Sequence, residues 1–278
     1  MNALRICGAA VLALGIAASA AQAPSPAKDR VSFKSHGLAL TGFLFKPDGA
    51  GPFPAVVWNH GSEPNPGGGP QFDTVAGIFV PRGYVVFAPI RRGHKMSEGP
   101  YILDERDQAR RRGGHAEAER TVVHLLEAEQ LDDQLAGLEY VKHLSYVDST
   151  RVAVAGCSFG GIQALLGAER SAAGYRAAFA ISPAAQSWTD NPLLRDRLIR
   201  AVRNISIPVM LIQPAKDDSL EPSRVLGAEL TKLKKPYFGK VYPATGPEEE
   251  QKHCFGGARG MHVWADDAVS FLEKFVHP

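Results

Sequence analysis

A serine flanked by glycines is the residue of this chain best placed for covalent chemistry. Ser158 lies in the segment 156–161, which reads Gly-Cys-Ser-Phe-Gly-Gly between an apolar run and a helical stretch. A Gly-x-Ser-x-Gly turn between a strand and a helix presents a nucleophile on a strained backbone, and the glycines avoid collisions with neighbouring backbone. The helix that follows also favours negative charge near the serine. The pattern predicts a catalytic nucleophile rather than a plain glycine-rich turn.

A serine nucleophile of this kind needs an acid and then a histidine further along the chain. Asp217 and Asp218 follow the apolar run 209–213. A carboxylate just beyond such a strand can orient an imidazole and stabilise its protonated form. Both aspartates meet this chemical requirement, and the competing interpretation is that both cap the following helix.

Two histidines are candidates for the general base. His253 lies in the loop between the last apolar run and the last helical stretch, whereas His262 almost adjoins that helix. A catalytic histidine needs a loop that reaches back to the nucleophile, so position favours His253 over His262.

Backbone N–H groups would stabilise the oxyanion formed in such a reaction. One is expected from Phe159, the residue after the serine, and a second from the loop 59–62, which reads Asn-His-Gly-Ser. Ser62 is the candidate for the second donor, while His60 is interpreted as a ring packed under the loop. The histidines show no metal-ligand spacing with carboxylates or thiolates, so neither a metal nor another cofactor is expected.

Eight short runs, mostly β-branched or aromatic and bounded by glycine or proline, alternate with helical stretches and would position these residues. The alternation predicts an α/β fold with a mostly parallel eight-stranded sheet and helices on both faces. The predicted strands are 31–33, 38–45, 55–58, 84–88, 151–155, 177–181, 209–213 and 237–242, and the predicted helices are 72–81, 132–143, 161–170, 192–202, 223–233 and 264–275.

The charged segment 97–131 does not fit this alternation. Its density of charge favours a solvated, partly helical excursion over a cover for the active site. No composition break marks a second domain, so the segment is expected to be an insertion within a single domain that extends over 31–278.

Residues 1–20 predict a secretory signal peptide. Arg5 precedes a short apolar run, and Ala18, Ser19 and Ala20 offer small residues at a cleavage site. The run is too short to span a membrane, although a buried N-terminal helix is the alternative. We therefore expect an exported protein, periplasmic or secreted, with a linker over 21–30.

The charges of the chain nearly balance, with 31 basic and 29 acidic side chains and a formal net charge of +2. This balance argues against nucleic acid or an anionic membrane surface as the main partner. No second apolar run reaches the length of a membrane span, so no integral membrane segment is expected in the mature chain.

Together these motifs resemble the dienelactone hydrolase-like α/β-hydrolases. The resemblance rests on the loop 59–62, the turn 156–161, the Lys-Asp-Asp at 216–218, and His253 followed by Trp264 in the last helix. It implies the α/β-hydrolase fold, with Asp217 rather than Asp218 as the acid and His253 as the base. Dienelactone hydrolases proper use a cysteine nucleophile, so Ser158 points instead to an ordinary esterase mechanism.

The cysteines give a second resemblance. Cys157 directly precedes the serine and Cys254 directly follows the histidine, an order similar to that of the tannase and feruloyl esterase family, in which the two cysteines form a disulfide. Those enzymes carry a large lid domain that this chain lacks. The resemblance implies a Cys157–Cys254 disulfide, and the alternative is two buried thiols that merely pack.

The function predicted from these observations is hydrolysis of a small-molecule ester through an acyl-enzyme. His253 would take the proton of Ser158, and Asp217 would stabilise the imidazolium. A peptidase related to prolyl oligopeptidase is one alternative, since it shares the fold and the order of the triad. A non-catalytic binding protein on a hydrolase scaffold is another.

Overall fold

An eight-stranded sheet forms the centre of the protein, whose computed structural model describes residues 26–170 and 174–276. Its strands are β1 (Lys28–Ser35), β2 (Leu38–Phe45), β3 (Phe53–Asn59), β4 (Val85–Ile90), β5 (Val147–Cys157), β6 (Tyr175–Ile181), β7 (Val209–Pro214) and β8 (Tyr237–Tyr242). They lie in the order β1-β2-β4-β3-β5-β6-β7-β8. The pairs β1–β2 and β2–β4 are antiparallel, and all other neighbours are parallel.

Helices cover both faces of this sheet in the described part of the chain. They are α1 (Gln71–Phe79), α2 (Ile102–Glu127), α3 (Glu129–Lys142), α4 (Phe159–Glu169), α5 (Pro192–Asn204), α6 (Glu221–Lys232) and α7 (Met261–Val276). The predicted fold class, an α/β protein with a mostly parallel eight-stranded sheet between helices, is confirmed.

Alternate residues of each central strand supply the two halves of the core. In β3, Ala55 and Val57 pack with apolar residues of α2 to α6, whereas Val56 and Trp58 pack with those of α1 and α7. All four side chains are almost completely buried. A strand buried on both faces needs apolar residues throughout rather than in alternation, which is why β3 reads as one apolar run.

The carboxyl ends of the parallel strands meet at one edge of the sheet. The loops that follow β3, β5 and β7 carry Ser62, Ser158 and Asp217, and the long loop after β8 carries His253. The topology therefore brings together residues that lie far apart in the sequence, at the edge where ligands bind in open α/β sheets.

Several boundaries differ by a few residues from those expected; β5, for example, begins at Val147 rather than at residue 151. The predicted signal peptide 1–20 lies outside the described residues. The first strand begins at Lys28, within the predicted linker 21–30, because antiparallel pairing with β2 continues to the Lys28–Phe45 pair. Within the charged segment 97–131, residues 102–127 form α2, whose helical geometry is interrupted at Gly113 and Gly114. Over the described residues, no helix combines the length and apolar character needed to cross a membrane.

Candidate active site

Ser158 occupies a strained turn between β5 and α4. Its backbone has φ 58° and ψ −121°, in the positive-φ region that residues with a side chain rarely adopt. The turn packs tightly on the loop after β3, because a Cβ atom at Gly160 would overlap the Asn59 carbonyl. The Ser158 N–H donates to the Ile181 carbonyl at 3.0 Å. The strain and the close packing are those expected of a nucleophile turn.

Asp217 and His253 are joined by a short hydrogen bond. His253 Nδ1 lies 2.7 Å from Asp217 Oδ1, and the Asp217 side chain is fully buried. The other ring nitrogen, His253 Nε2, is buried and has no hydrogen-bond partner within the described ranges. An Nδ1–H held by the carboxylate leaves Nε2 as the proton acceptor of the ring.

The competing acid and base take other positions. Asp218 Oδ2 is 3.8 Å from His253 Nδ1, beyond hydrogen-bond distance, and the Asp218 side chain is half exposed. His262 lies in the first turn of α7, where its Nδ1 hydrogen-bonds the Arg259 carbonyl at 3.0 Å and its Nε2 approaches Glu250. Neither residue makes the paired contact that joins Asp217 to His253.

The surroundings of Asp217 keep its carboxyl ionised. Burial by itself would raise the pKa, but the hydrogen bond and charge of His253, with hydrogen bonds from Ser182 and Gln213, lower the pKa of Asp217 below its ordinary value. Gln213 Nε2 donates to Oδ2 at 2.9 Å, and the Asp218 N–H donates to Oδ1 at 2.9 Å. The carboxylate is thus fixed on both oxygens, with its neighbour Asp218 contributing only a backbone group.

A disulfide between Cys157 and Cys254 ties the serine turn to the histidine loop. The two Cα atoms are 6.0 Å apart, and each cysteine is the immediate neighbour of a candidate catalytic residue. Beyond the bridge, Cys254 and Phe255 both have left-handed backbone, with φ of 54° and 56°. Phe255 anchors this turn because its ring is buried against Tyr242.

A cleft of about 270 Å³ adjoins the site, and both candidate oxyanion donors line it. Ser62 and Phe159 form one wall, α2 contributes residues including Leu103 and Arg110, and the segment before α5 contributes others. The interpretation of 97–131 as a solvated excursion is therefore incomplete, since α2 shapes the cleft beside Ser158. The sequence did not indicate that α2 lines the cleft, because its apolar residues are widely spaced among charged ones.

The loop after β3 rests on a cluster of buried polar residues that sequence reasoning did not foresee. His60 is packed beneath the loop, as interpreted, and its ring lies 4.4 Å from that of His94. Burial lowers the pKa of His60 well below its ordinary value, with Arg91 and His94 acting in the same direction. Arg91 is also buried, and burial lowers its pKa to about 10, so the guanidinium stays charged at neutral pH. No sequence motif indicates that Arg91 supports this loop, because its partners His60, Gly61 and Gln130 lie far from it in the sequence.

Asp217, Asp218 and His253 are the described residues whose ligand atoms lie close enough to share a metal ion, within 4.8 Å of one another. A cation bound there would need the Nδ1 lone pair of His253. The ring could supply it only by giving up the hydrogen bond to Asp217, because Nδ1 cannot donate a proton and ligate at once. The observed geometry therefore suits a hydrogen-bonded pair of Asp217 and His253 better than a metal site.

The sheet order, the serine turn after β5, the aspartate after β7 and the histidine after β8 define the α/β-hydrolase fold. Comparison with protein families gives a partial match: the model of the prolyl oligopeptidase family matches residues 111–192, which include Ser158 but neither Asp217 nor His253. No curated protein matches the chain.

Solved structures of peptidases and of esterases are similar to the chain. The acylaminoacyl peptidase of Pyrococcus horikoshii aligns with a TM-score of 0.65 and 18% identity, over 92% of this chain and 43% of the peptidase. The esterase Pf2001 of Pyrococcus furiosus aligns with a TM-score of 0.66 and 17% identity, over 91% and 94% of the two chains. The esterase Est22 aligns with a TM-score of 0.63 and 15% identity, over 90% and 79%.

These similarities establish the fold. They differ in how much of the other protein this chain covers. This chain spans less than half the length of the peptidases but nearly all of Pf2001. They support the α/β-hydrolase fold that the resemblance to dienelactone hydrolases implies, and the likenesses to dienelactone hydrolases and to tannases stay predictions.

Proposed function

We propose that this protein is a serine hydrolase that cleaves carboxylic esters through an acyl-enzyme. The observation that carries the proposal is the 2.7 Å hydrogen bond between Asp217 and His253. The Cys157–Cys254 disulfide joins the loop of this histidine to the turn that bears Ser158. A binding role alone places no demand on these three residue types at these positions.

In the proposed mechanism, Ser158 Oγ attacks the ester carbonyl while His253 Nε2 takes its proton. The N–H groups of Phe159 and Ser62 stabilise the oxyanion, and Asp217 stabilises the imidazolium. Collapse of the tetrahedral intermediate expels the alcohol, which takes the proton from His253. Water then attacks the acyl-enzyme by the same route and releases the acid.

Covalent labelling tests whether the site is catalytic. A fluorophosphonate should label the wild-type protein and not Ser158→Ala, and Ser158→Ala should lose about 10⁴-fold or more in ester hydrolysis. The variant should keep its fold, since the change removes one hydroxyl group. Undiminished hydrolysis by Ser158→Ala would contradict the proposal, and failure to label the wild type would favour the non-catalytic alternative.

A peptidase is the second candidate, favoured by the partial match to the prolyl oligopeptidase family and by the peptidase structures. The similarity to the esterase Pf2001, which extends over 91% of this chain and 94% of Pf2001, supports the esterase. A panel of p-nitrophenyl esters against aminoacyl-proline amides separates the two. Higher kcat/KM on the amides would assign the protein to the peptidases.

We also propose that the protein is exported. The signal-peptide pattern of residues 1–20 supports export, and so does the Cys157–Cys254 disulfide, because such bridges persist in oxidising compartments. Mass spectrometry of the protein from its native host should find an N-terminus close after Ala20. An intact Met1 in the native protein would contradict export by this route.

A further inference from the structure

Arg91, directly after β4, has hydrogen bonds that are unusual for a buried cation. Its Nη2 atom donates to the carbonyl oxygens of both His60 and Gly61, each at 2.9 Å, and its Nε donates to Gln130 Oε1 at 3.0 Å. Only 1% of the residue is exposed. A single guanidinium thus binds two successive carbonyls of the loop that follows β3.

These bonds fix the direction of two N–H groups. In a trans peptide the carbonyl and the following N–H point in opposite directions, and Gly51–Pro52 is the only cis bond within the described residues. Turning the His60 and Gly61 carbonyls toward Arg91 therefore turns the N–H groups of Gly61 and Ser62 away from it. Ser62 also lines the cleft beside Phe159, where a substrate would bind.

A partly buried side chain, that of Glu63, lies against the same loop. Burial raises the pKa of the Glu63 carboxyl above its ordinary value, although the backbone of Glu63 and of Gly61 and the charge of Arg91 oppose that rise. A Cβ atom built at Gly61 would lie 2.5 Å from Glu63 Oε2 and 3.7 Å from Ser158 Cβ, so this carboxylate is close to the nucleophile. Successive N–H groups turned to one side form a concave site for negatively charged oxygen.

Other contacts hold the same loop. The Arg91 N–H donates to His60 Nε2 at 3.1 Å, and the Tyr101 hydroxyl donates to the Ser62 carbonyl. The His60 and Gly61 carbonyls thus accept from one donor, the Arg91 guanidinium, and the Ser62 carbonyl accepts from Tyr101. The Gly61 carbonyl also accepts from His60 Nδ1 at 2.9 Å, so removal of Arg91 would free the His60 carbonyl and leave the Gly61 carbonyl with the His60 ring alone.

We propose that Arg91 is a positioning residue for the oxyanion hole, which holds the Ser62 N–H toward the developing oxyanion by binding the carbonyls behind it. This inference rests on the proposed function, because it assigns a role within that reaction. A purely structural arginine would be expected to pair with a carboxylate, as the adjacent Arg92 does with Asp133 at 2.6 and 2.9 Å. Among the described residues Arg91 forms no ion pair with a carboxylate, and the charges of Glu63 and Asp133 only partly offset the lowering of its pKa by burial.

Arg92 provides a matched control. Arg91→Lys and Arg91→Met should lower kcat by about 10²-fold with KM nearly unchanged, since a misdirected donor weakens transition-state binding. Arg92→Lys and Arg92→Met disturb a buried ion pair one residue away but touch no carbonyl of the loop, so the folded protein should keep its kcat. Thermal unfolding followed by circular dichroism identifies one temperature at which all the variants are folded, and all rates are measured at that temperature.

The inhibition constant of a trifluoromethyl ketone distinguishes the two roles, because a purely structural role of Arg91 would leave it unchanged in folded variants. The ketone adds to the serine as a hemiketal whose oxyanion occupies the same hole, so its inhibition constant should rise in Arg91 variants in parallel with the loss in kcat/KM. The inhibition constant in Arg92 variants should match that of the wild type. Folded Arg91 variants with wild-type kcat and ketone affinity would overturn the inference, as would equal losses in the Arg92 variants.

The proposed function and this inference fail in different ways. If the fluorophosphonate does not label wild-type protein at Ser158, the proposed function is wrong and the assignment of Arg91 is overturned with it. If the wild type is labelled and hydrolyses esters while Arg91→Lys and Arg91→Met do so equally well, only the inference is wrong.

Discussion

Burial separates two adjacent carboxylates that the sequence leaves nearly equivalent. Asp217 is fully buried and fixed on both oxygens, whereas the half-exposed Asp218 lies 3.8 Å from the same histidine nitrogen. The motif predicts Ser158 and confines the acid to this pair, and the resemblance to a known family selects Asp217. The physical reason for the choice lies in Gln213 and Ser182, which no local pattern links to the site.

The first residue-scale prediction compares each candidate with its neighbour. Asp217→Asn and His253→Ala should each lower kcat/KM by about 10³-fold or more, because the imidazole loses its orientation or is absent. Asp218→Asn and His262→Ala should keep most of the activity, since neither side chain contacts the Nε2 side of His253. Steady-state hydrolysis of a p-nitrophenyl ester measures all four, and severe loss in either control variant would reassign the role.

A second prediction at this scale concerns Glu63. Burial raises the pKa of its carboxyl above the ordinary value, although its backbone hydrogen bonds and Arg91 oppose that rise. In the folded protein this carboxyl therefore keeps its proton to a higher pH than in the unfolded chain. The stability that depends on it is complete below the ordinary pKa and is lost as pH rises through the raised value.

Glu63→Gln should consequently increase the free energy of unfolding relative to wild type more at pH 8 than at pH 4. Urea unfolding at the two pH values measures the difference. Glu117→Gln is the control, because that carboxylate pairs with Arg120 at the surface and its loss should cost at most about 1 kcal/mol. A Glu63→Gln effect that is equal at both pH values would contradict the prediction.

At the scale of elements, the sheet was predictable and α2 was not. The buried parallel strands read as continuous apolar runs, and all eight strands of the sheet were found in the sequence to within a few residues at most ends. In α2, apolar residues are sparse and Gly113 and Gly114 interrupt the helix, which removes the periodicity on which recognition depends. Arg91 escaped detection for a different reason, since its role arises from contacts between loops that only the folded sheet brings together.

The interruption of α2 leads to a prediction about Gly114. Its φ of 73° and ψ of −163° lie in a region almost restricted to glycine, so Gly114→Ala should lower the free energy of unfolding by about 1–3 kcal/mol. Steric clash would not explain the loss, because nothing lies within 4 Å of a Cβ atom at this position. Both halves of α2 line the cleft, so KM for bulky esters should also change.

Gly77→Ala is the matched control for this effect. Gly77 lies in α1 with equally open space around it, and alanine there should be neutral or stabilising by about 0.5–1 kcal/mol. Urea unfolding followed by circular dichroism compares the two variants. A Gly114→Ala protein as stable as Gly77→Ala would show that the break in α2 does not depend on glycine.

For the whole molecule, the site depends on a contact between segments that lie 97 positions apart in the sequence. Ser158 is fixed by the sheet and α4, whereas His253 lies in a long loop after the exposed edge strand β8. The disulfide joins the loop to the sheet, so that the position of His253 depends on this covalent bond and on the hydrogen bond to Asp217 rather than on strand pairing. The sequence resemblance anticipated this bridge, and the fold explains why it is placed there.

The last prediction concerns loss of that bridge. Closing a loop of this length stabilises a chain by about 4–5 kcal/mol in the entropy model, so Cys157→Ala with Cys254→Ala should cost about 2–5 kcal/mol once strain is considered. Activity should fall further than secondary structure, because the left-handed backbone at Cys254 and Phe255 relaxes and moves His253 away from Ser158. Reductant should lower kcat/KM of the wild type, with circular dichroism nearly unchanged, and leave the double variant unaffected. Mass spectrometry that finds two free thiols in protein from an oxidising compartment, or wild-type kcat/KM in the double variant, would show that the bridge does not hold the base in place.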